Sequence, residues 1–303
     1  MRNVRAFRLA LLVIVAALCM SAMCAPDLEV ASALPGMTGL AVFLVGLAIG
    51  CYGTIVGIGG GPLLVPILHF IHRWPTEDVV ASSLFVVFLN AMSGSAGYAA
   101  QKRIDVKGAL VLSLAAMPGA VLSGFVHHLW SVPSFDVIFG VFLLALAAYT
   151  LLRVDSLGRS VPGGRRRRGL RHILIVDAFK EKHDFYSDQN LGISINLILG
   201  FLAGFLGIGG GVLQVPILVF LLGYPIHIAT ATSHFVTMLT SAFALAPNVF
   251  LGNVHFQSVT WLGLGVVFGA QVGAKLAPRL RSKAILYLFC CILVAFAVRL
   301  FLY

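Results

Sequence analysis

Apolar stretches alternate with short polar turns along almost the whole chain. A helix needs about 20 mostly apolar residues to cross a bilayer, and eight of the ten stretches come close to that length. The other two, 61–71 and 211–222, are too short, and each directly follows a glycine cluster. This pattern predicts an all-α polytopic membrane protein whose helices are broken at glycine-rich motifs. The ten stretches run roughly over 36–57, 61–71, 78–100, 106–127, 134–152, 191–207, 211–222, 228–247, 257–277 and 284–302.

The composition excludes a soluble domain. Hydrophobic residues make up 59% of the 303 residues, charged residues 11%, and the mean hydropathy is +0.99, whereas about a quarter of a soluble domain is charged. The net charge of +10 does not indicate nucleic acid, because the basic residues lie between apolar runs, where they orient a protein in its membrane. The five cysteines have no metal-ligand or disulfide spacing, and we interpret them as small apolar residues.

Two segments fall outside this regular pattern. Residues 1–25 begin with three arginines, followed by an apolar stretch and small residues, which is the layout of a signal peptide; an uncleaved N-terminal anchor is the alternative. Residues 154–190 form a basic linker that contains the run Arg165–Arg168. Inside this linker, the apolar piece His172–Phe179 is too short to span and indicates a short strand or a packed turn.

The chain contains an internal repeat. Residues 56–68 and 206–218 are identical at ten of thirteen positions, at an offset of 150. The same offset pairs Ala81–Ser83 with Ala231–Ser233 without a gap. Self-similarity at a fixed period is the signature of duplicated structural units. We therefore predict a first transmembrane repeat over 36–153 and a second over 191–303.

Each repeat holds five apolar segments, so the second copy should be inverted relative to the first. If the arginine-rich linker is cytoplasmic, turns 101–107 and 278–283 lie inside, and turns 128–133 and 252–257 lie outside. The two inner turns carry basic residues and the two outer turns carry none; 19 of the 21 basic residues then lie inside. This predicts two inverted repeats in the plasma (inner) membrane with linker 154–190 cytoplasmic, an arrangement that many secondary transporters have.

The two glycine clusters are the first candidate binding site. Consecutive glycines end a helix and expose backbone N–H groups. A half-helix that starts there directs its positive dipole end at the same place, which suits an anion. The alternative is that the glycines only permit close helix packing. The candidate residues are Gly59, Gly60, Gly61, Gly209, Gly210 and Gly211.

Polar side chains inside the spans extend this site. Ser82 and Ser83 match Thr232 and Ser233 in the repeat, and their hydroxyls can donate to an oxyanion; bonding to their own helices is the alternative. His234 and Gln271 are weaker candidates. Histidine titrates near neutral pH, so His234 is a candidate for a coupling proton, and a structural interhelical histidine is the alternative.

Other chemistry has little support in the sequence. All eleven acidic residues fall in turns, in the linker or at segment ends, which argues against a cation transporter or a carboxylate-driven pump. There is no nucleophile–base pair and no metal-ligand set, so we expect neither an enzyme nor a bound metal or cofactor. The remaining polar groups suit a small anionic substrate.

The chain resembles the TauE/SafE family, the sulfite-exporter family. The resemblance rests on the glycine-rich stretches 57–66 and 207–216, on 81–83 and 229–233, and on 265–275, and it covers about 38 to 302. It implies export or uptake of small sulfur-containing anions, such as sulfite and organosulfonates, or of other small organic anions. His234 stands where the first repeat has Leu84, so the site is not strictly symmetric.

We therefore expect a secondary transporter that moves a small anion, with sulfite or an organosulfonate first, by alternating access. A passive anion channel with the same lining is one alternative. A membrane scaffold or receptor component that binds a partner through the basic linker is another. The sequence leaves the exact substrate, the direction of transport, the coupling ion and the oligomeric state open.

Overall fold

The computed structural model describes residues 39–72, 74–126, 133–153 and 170–301; the predicted signal peptide or anchor over 1–25 lies outside these. Apolar runs give ten α-helices in the described residues, and one hairpin of two strands interrupts them. The elements are α1 Gly39–Val56, α2 Gly61–His72, α3 Thr76–Ala100, α4 Val106–Val126, α5 Pro133–Arg153, β1 Arg171–Val176, β2 Lys182–Ser187, α6 Gln189–Phe205, α7 Gly211–Pro216, continued by a π-helical turn Ile217–Leu221, α8 Ile226–Phe250, α9 Phe256–Leu276 and α10 Ser282–Phe301.

Five of the described helices are long and apolar enough to cross a membrane: α1, α3, α4, α8 and α9. Large apolar side chains remain on the outer surface, for example Leu44 at 54% exposure and Phe250 at 90%. Such a surface is unfavourable in water and favourable against lipid tails. The predicted all-α polytopic membrane protein is confirmed.

The helix bounds repeat at the offset of 150 residues. Thr76–Ala100 corresponds to Ile226–Phe250, and Val106–Val126 to Phe256–Leu276, residue for residue. The two short helices α2 and α7 begin at equivalent glycines, Gly61 and Gly211. The duplication in the sequence is therefore also a duplication of these long helices, whereas α2 has twelve residues and α7 has six before its π-helical turn.

The two halves interlock through small residues. A Cβ at Gly50 of α1 would lie 2.6 Å from the Cα of Val266 in α9, and a Cβ at Gly200 of α6 would lie 2.6 Å from the carbonyl carbon of Ala116 in α4. Small residues let membrane helices approach this closely. The first helix of each half thus packs on the fourth helix of the other half.

Repeat-equivalent helices run in opposite directions where they meet. His234 of α8 contacts Gly94 of α3, while Leu84 and Ala244 belong to one buried apolar cluster. Residue numbers therefore fall along α3 as they rise along α8. An inverted repeat requires this antiparallel pairing.

The predicted linker contains an antiparallel hairpin in which Arg171 pairs with Ser187 and Val176 with Lys182. The alternation of side chains buries Ile173 and Phe185, as expected for strands with one covered face. Of the two interpretations of 172–179, the structure shows the strand. The hairpin packs on the helix ends, where Ile173 and Phe185 share a buried apolar cluster with Leu112 and Tyr224.

Candidate functional site

Two glycine loops form the centre of the site: the first over 57–60 and the second over 207–210. Three glycines in each loop have positive φ, between 67° and 88°, a conformation that other residues rarely adopt. This conformation ends α1 and α6 and lets the chain turn into α2 and α7. The predicted helix breaks are therefore observed at the glycine clusters.

The two glycine loops lie against each other. A Cβ on Gly61 would come within 2.6 Å of the Cα of Ile208, and a Cβ on Gly211 within 2.8 Å of the Cα of Ile58. Both isoleucines are fully buried. The structure thus brings together the two clusters that lie 150 residues apart in the sequence.

Ser83 and Ser233 each bind the first residue of a glycine loop. The Ser83 hydroxyl donates to the carbonyl oxygen of Gly207 over 2.7 Å, and the Ser233 hydroxyl donates to that of Gly57 over 2.9 Å. These are repeat-equivalent bonds, each made to the opposite half. Each hydroxyl uses its single proton on a carbonyl, so a direct contact with an anion stays a prediction for both residues.

Ser82 and Thr232 lie one residue away from this pair but serve the ends of the helices. The Ser82 hydroxyl accepts a hydrogen bond from the backbone N–H of His255, and the Thr232 hydroxyl accepts one from that of Asp105, each over 3.2 Å. These bonds satisfy N–H groups where α9 and α4 begin. Their predicted role in binding substrate remains untested.

Asn90 and Thr237 place further polar groups beside the loops. Asn90 is fully buried, and its Nδ2 lies 3.2 Å from where a Cβ on Gly60 would be. Thr237 contacts both loops, with its Cγ2 3.1 Å and 3.3 Å from the Cβ positions of Gly59 and Gly209. Within the described residues, neither Asn90 Nδ2 nor Thr237 Oγ1 has a hydrogen-bond partner. Buried polar atoms of this kind usually have a partner, so both are candidates to meet a ligand.

His234 connects to Asn90 through one residue. Its Nε2 lies 3.2 Å from the hydroxyl of Thr54, and that hydroxyl donates to Asn90 Oδ1 over 3.0 Å. The ring of Tyr98 packs edge-on against His234, with the ring centroids 5.8 Å apart. Neither Asn90 nor Thr54 is singled out as a site residue in the sequence analysis, although Thr54 differs from its repeat equivalent, a glycine at 204.

Gln271 lies apart from the glycine loops. Its Nε2 donates to the backbone oxygen of Ser93 over 2.6 Å and to the Ser93 hydroxyl over 2.9 Å. This bond joins α9 to α3 at the residue next to Gly94, which contacts His234. The structure therefore places Gln271 at the edge of the His234 cluster, and a contact with substrate stays a prediction.

Charged side chains tie the hairpin to the turn between α3 and α4. Arg103 donates twice to Asp177 Oδ2, over 2.7 and 3.0 Å, and both side chains are buried. Arg171 pairs with Asp105 over 3.0 Å, and the Tyr224 hydroxyl donates to the same carboxylate over 2.9 Å.

These charged contacts shift two pKa values. Burial alone would raise the pKa of Asp177, but the hydrogen bonds from Arg103 and from the backbone of the turn lower it overall. Burial and the neighbouring Asp105 carboxylate raise the pKa of Tyr224. Asp177 is therefore held ionised and Tyr224 protonated at neutral pH.

The repeat-equivalent turn between α8 and α9 has different partners. His255 stands at the position equivalent to Asp105, and its Nε2 lies 3.0 Å from Asp78 Oδ2. Trp74, equivalent to Tyr224, stacks on the His255 ring with centroids 4.2 Å apart. The backbone geometry is thus shared between the two turns, while the side-chain chemistry is not.

One group of described residues could approach a metal ion. The ligand atoms of Asp177, Glu181 and His183 lie within 4.8 Å of one another. However, the Arg103 guanidinium already pairs with Asp177, and its positive charge opposes a cation at the same place. The geometry therefore favours an ion-paired turn over a metal centre.

Comparison with known proteins gives a consistent answer. The family model for the sulfite exporter TauE/SafE matches residues 2–105 and 42–300. The Bacillus subtilis protein named "Probable membrane transporter protein YunE" is 28% identical over 265 residues, which cover 85% of this chain and 95% of that protein. A Methanocaldococcus jannaschii protein, also named a probable membrane transporter, is 28% identical over 257 residues, which cover 80% of this chain and 87% of that protein.

No solved structure gives a significant match to the chain, so the fold rests on the geometry described above. The family model covers most of the sequence, including both glycine loops. The chain is a multi-pass membrane protein that belongs to the sulfite exporter TauE/SafE family of membrane transporters.

Proposed function

We propose that this transporter moves a small anion, such as sulfite, an organosulfonate or a related sulfur-containing anion, by alternating access. We place it in the inner membrane as two inverted repeats, with the linker on the cytoplasmic side. The observation that carries the proposal is the meeting of the two glycine loops in the buried centre of the protein, each held by a serine of the opposite half.

The chemistry of this centre favours an anion. Asn90 offers a buried carboxamide N–H beside Gly60, where the twelve-residue helix α2 begins with its positive dipole end. No aspartate or glutamate lies among the buried side chains of the described membrane helices. Neutral donors in a low-dielectric site can stabilise a negative charge, while a cation would lack a carboxylate to bind.

The arrangement of the halves supports alternating access. The repeat-equivalent helices α3 and α8 run antiparallel, and the two loops meet where these helices cross. In transporters built from inverted repeats, one half rocks against the other around a fixed central site. The turns 101–105 and 251–255 would then close the path at opposite membrane faces.

Uptake of radiolabelled sulfite and methanesulfonate into proteoliposomes tests this function. We expect uptake by the wild type and near-complete loss in Gly60→Val and Gly210→Val, because a branched side chain would enter a left-handed backbone position inside the site. Gly252→Val is the matched control: Gly252 also has positive φ, but nothing lies within 4 Å of its Cβ position. Normal uptake by both loop variants would refute the site.

The same vesicles separate a transporter from a passive anion channel. With the membrane potential clamped at zero, a coupled transporter can accumulate the anion above its external concentration when a proton or ion gradient is imposed. A channel can only equalise the two concentrations. Equalisation under every imposed gradient would favour the channel.

A further inference from the structure

We propose that the Asn90 carboxamide is a direct donor to the anion and that Thr54 and His234 are positioning residues that fix its orientation. This places the proposed donor in the first half of the protein. The proposal rests on the proposed function, since it names side chains of the same central site.

The first step is the orientation of Asn90. A carboxamide has one end that accepts hydrogen bonds and one that donates, and a half-turn about its last bond exchanges them. The Thr54 hydroxyl donates to Oδ1 over 3.0 Å, which fixes the accepting end toward α1. The donating Nδ2 is thereby directed at Gly60 and has no partner among the described residues.

The second step is the role of His234. A threonine hydroxyl carries a single proton, and that of Thr54 is used on Asn90. Toward His234 Nε2, 3.2 Å away, the same oxygen can only accept, so this ring nitrogen must carry the hydrogen. His234 therefore donates to Thr54, and Thr54 donates to Asn90. Both N–H bonds of the Asn90 amide are left for a ligand.

The second half lacks this chain. Thr240 stands at the position equivalent to Asn90 and donates its only proton to the carbonyl oxygen of Gly209 over 2.8 Å. The positions equivalent to Thr54 and His234 hold Gly204 and Leu84. The position equivalent to Asn90 therefore offers an anion no free donor beside the second loop, although Gln214 Nε2 of α7 is also buried without a hydrogen-bond partner among the described residues.

Asn90 is fully buried beside the start of α2. Its side chain is 0% exposed, and an unpaired N–H at such a place is costly. A bound oxyanion would satisfy it with a charge-assisted hydrogen bond. The site would thus take an oxyanion with at least one oxygen that can enter between Asn90 and the first glycine loop.

The test is binding of methanesulfonate and sulfite to the purified full-length protein by isothermal titration calorimetry. We expect Asn90→Leu to weaken binding about 10- to 100-fold, the range for losing a hydrogen bond to a charged group. Asn248→Leu is the matched control. Asn248 is an equally buried asparagine of α8, and its side chain donates to the carbonyl oxygen of Ala244 in its own helix. If Asn90→Leu does not fold, the isosteric Asn90→Asp serves in its place, since its carboxylate would repel the anion.

The positioning residues have their own readout. Thr54→Val removes the hydroxyl at constant shape and should weaken binding, whereas Thr54→Ser should restore it. His234→Gln, which keeps an N–H donor, should bind more tightly than His234→Leu. The double variant Thr54→Val with Asn90→Leu should bind no more weakly than Asn90→Leu alone, because both changes remove the same interaction.

The outcomes separate this inference from the proposed function. Wild-type affinity in Asn90→Leu, while Gly60→Val loses binding, would overturn the inference and leave the proposed function standing. Additive losses in the double variant would remove Thr54 from its positioning role. If the wild type binds neither anion, both the function and the inference fall.

Discussion

The turns 101–105 and 251–255 share one backbone geometry but are held by different side-chain contacts. In both, a hydroxyl of the opposite half accepts the N–H at the start of the next helix, from Asp105 or from His255. The turn 101–105 is held by the hairpin through the ion pairs Arg103–Asp177 and Arg171–Asp105. The turn 251–255 is held by the half-exposed pair His255–Asp78.

The two halves therefore share their helices through duplication, but different side chains hold the turn at each end. The hairpin end is held by two arginine–aspartate pairs, one of them fully buried. The other end is held by a single, partly exposed histidine–aspartate pair. The two faces of one transporter can therefore differ in how firmly they close, although their backbones correspond.

The largest expected effect comes from breaking the hairpin end. Arg103→Ala leaves the buried Asp177 carboxylate without its partner, which costs about 3–5 kcal/mol of stability. Thermal unfolding of the purified protein measures it. The double variant Arg103→Ala with Asp177→Ala should recover part of the lost stability, because it no longer has the unpaired carboxylate. A single variant as stable as the wild type would show that the pair is not buried as described.

Asp105→Asn should have an intermediate effect. It removes the charge that binds Arg171 and that accepts from the Tyr224 hydroxyl, and hydrogen bonds to charged groups contribute about 1.5–3 kcal/mol. Chemical denaturation followed by tryptophan fluorescence measures the loss. If Asp105→Asn unfolds at the same denaturant concentration as the wild type, Arg103 alone holds the turn.

Acid should also distinguish the two ends. Because the folded pKa of Asp177 is lowered, its ionised form stabilises the fold. That contribution is complete above the unfolded carboxyl pKa, about 3.9, and is lost as pH falls through the lower folded value. Unfolding followed from pH 5 downward should show a steeper loss in the wild type than in the Arg103→Ala and Asp177→Ala double variant. Equal slopes would contradict the coupling.

The smallest expected effect comes from the other end. Asp78→Asn removes a partly exposed partner of His255, and such pairs contribute about 0–1 kcal/mol. Thermal unfolding of the purified protein, measured beside Arg103→Ala in the same buffer, detects it. A loss as large as that of Arg103→Ala would remove the contrast between the two ends.

Much of the fold follows from the sequence because its signals are local. Apolar length gave the helices, and the glycine clusters gave the breaks at Gly57–Gly60 and Gly207–Gly210. The offset of 150 also paired Ser83 with Ser233, whose equivalent bonds to the opposite loops are seen in the structure. Duplicated sequence carries this information because equivalent residues occupy equivalent places.

The remaining parts of the site depend on contacts between distant segments. Thr54 reads as an ordinary threonine in an apolar helix, and only its position between Asn90 and His234 gives it a role. In the sequence, nothing distinguishes Ser82 and Thr232 from Ser83 and Ser233. Each residue of a helix is rotated about 100° from the next, so Ser82 and Thr232 face the starts of α9 and α4 and not the glycine loops. The pairing of Arg103 with Asp177, 74 residues away, likewise carries no local signal.

The inverted repeat is tested most directly by the side of the membrane on which the two turns lie. Lys107 and Gln257 are repeat-equivalent, exposed residues at the starts of α4 and α9. Single cysteines placed there, in a variant whose native cysteines are replaced, can be labelled with a membrane-impermeant maleimide on intact cells. We expect that Gln257→Cys is labelled from outside and that Lys107→Cys is labelled only after the membrane is opened. Labelling of both from the same side would contradict the inverted repeat and, with it, the alternating closure of the two ends.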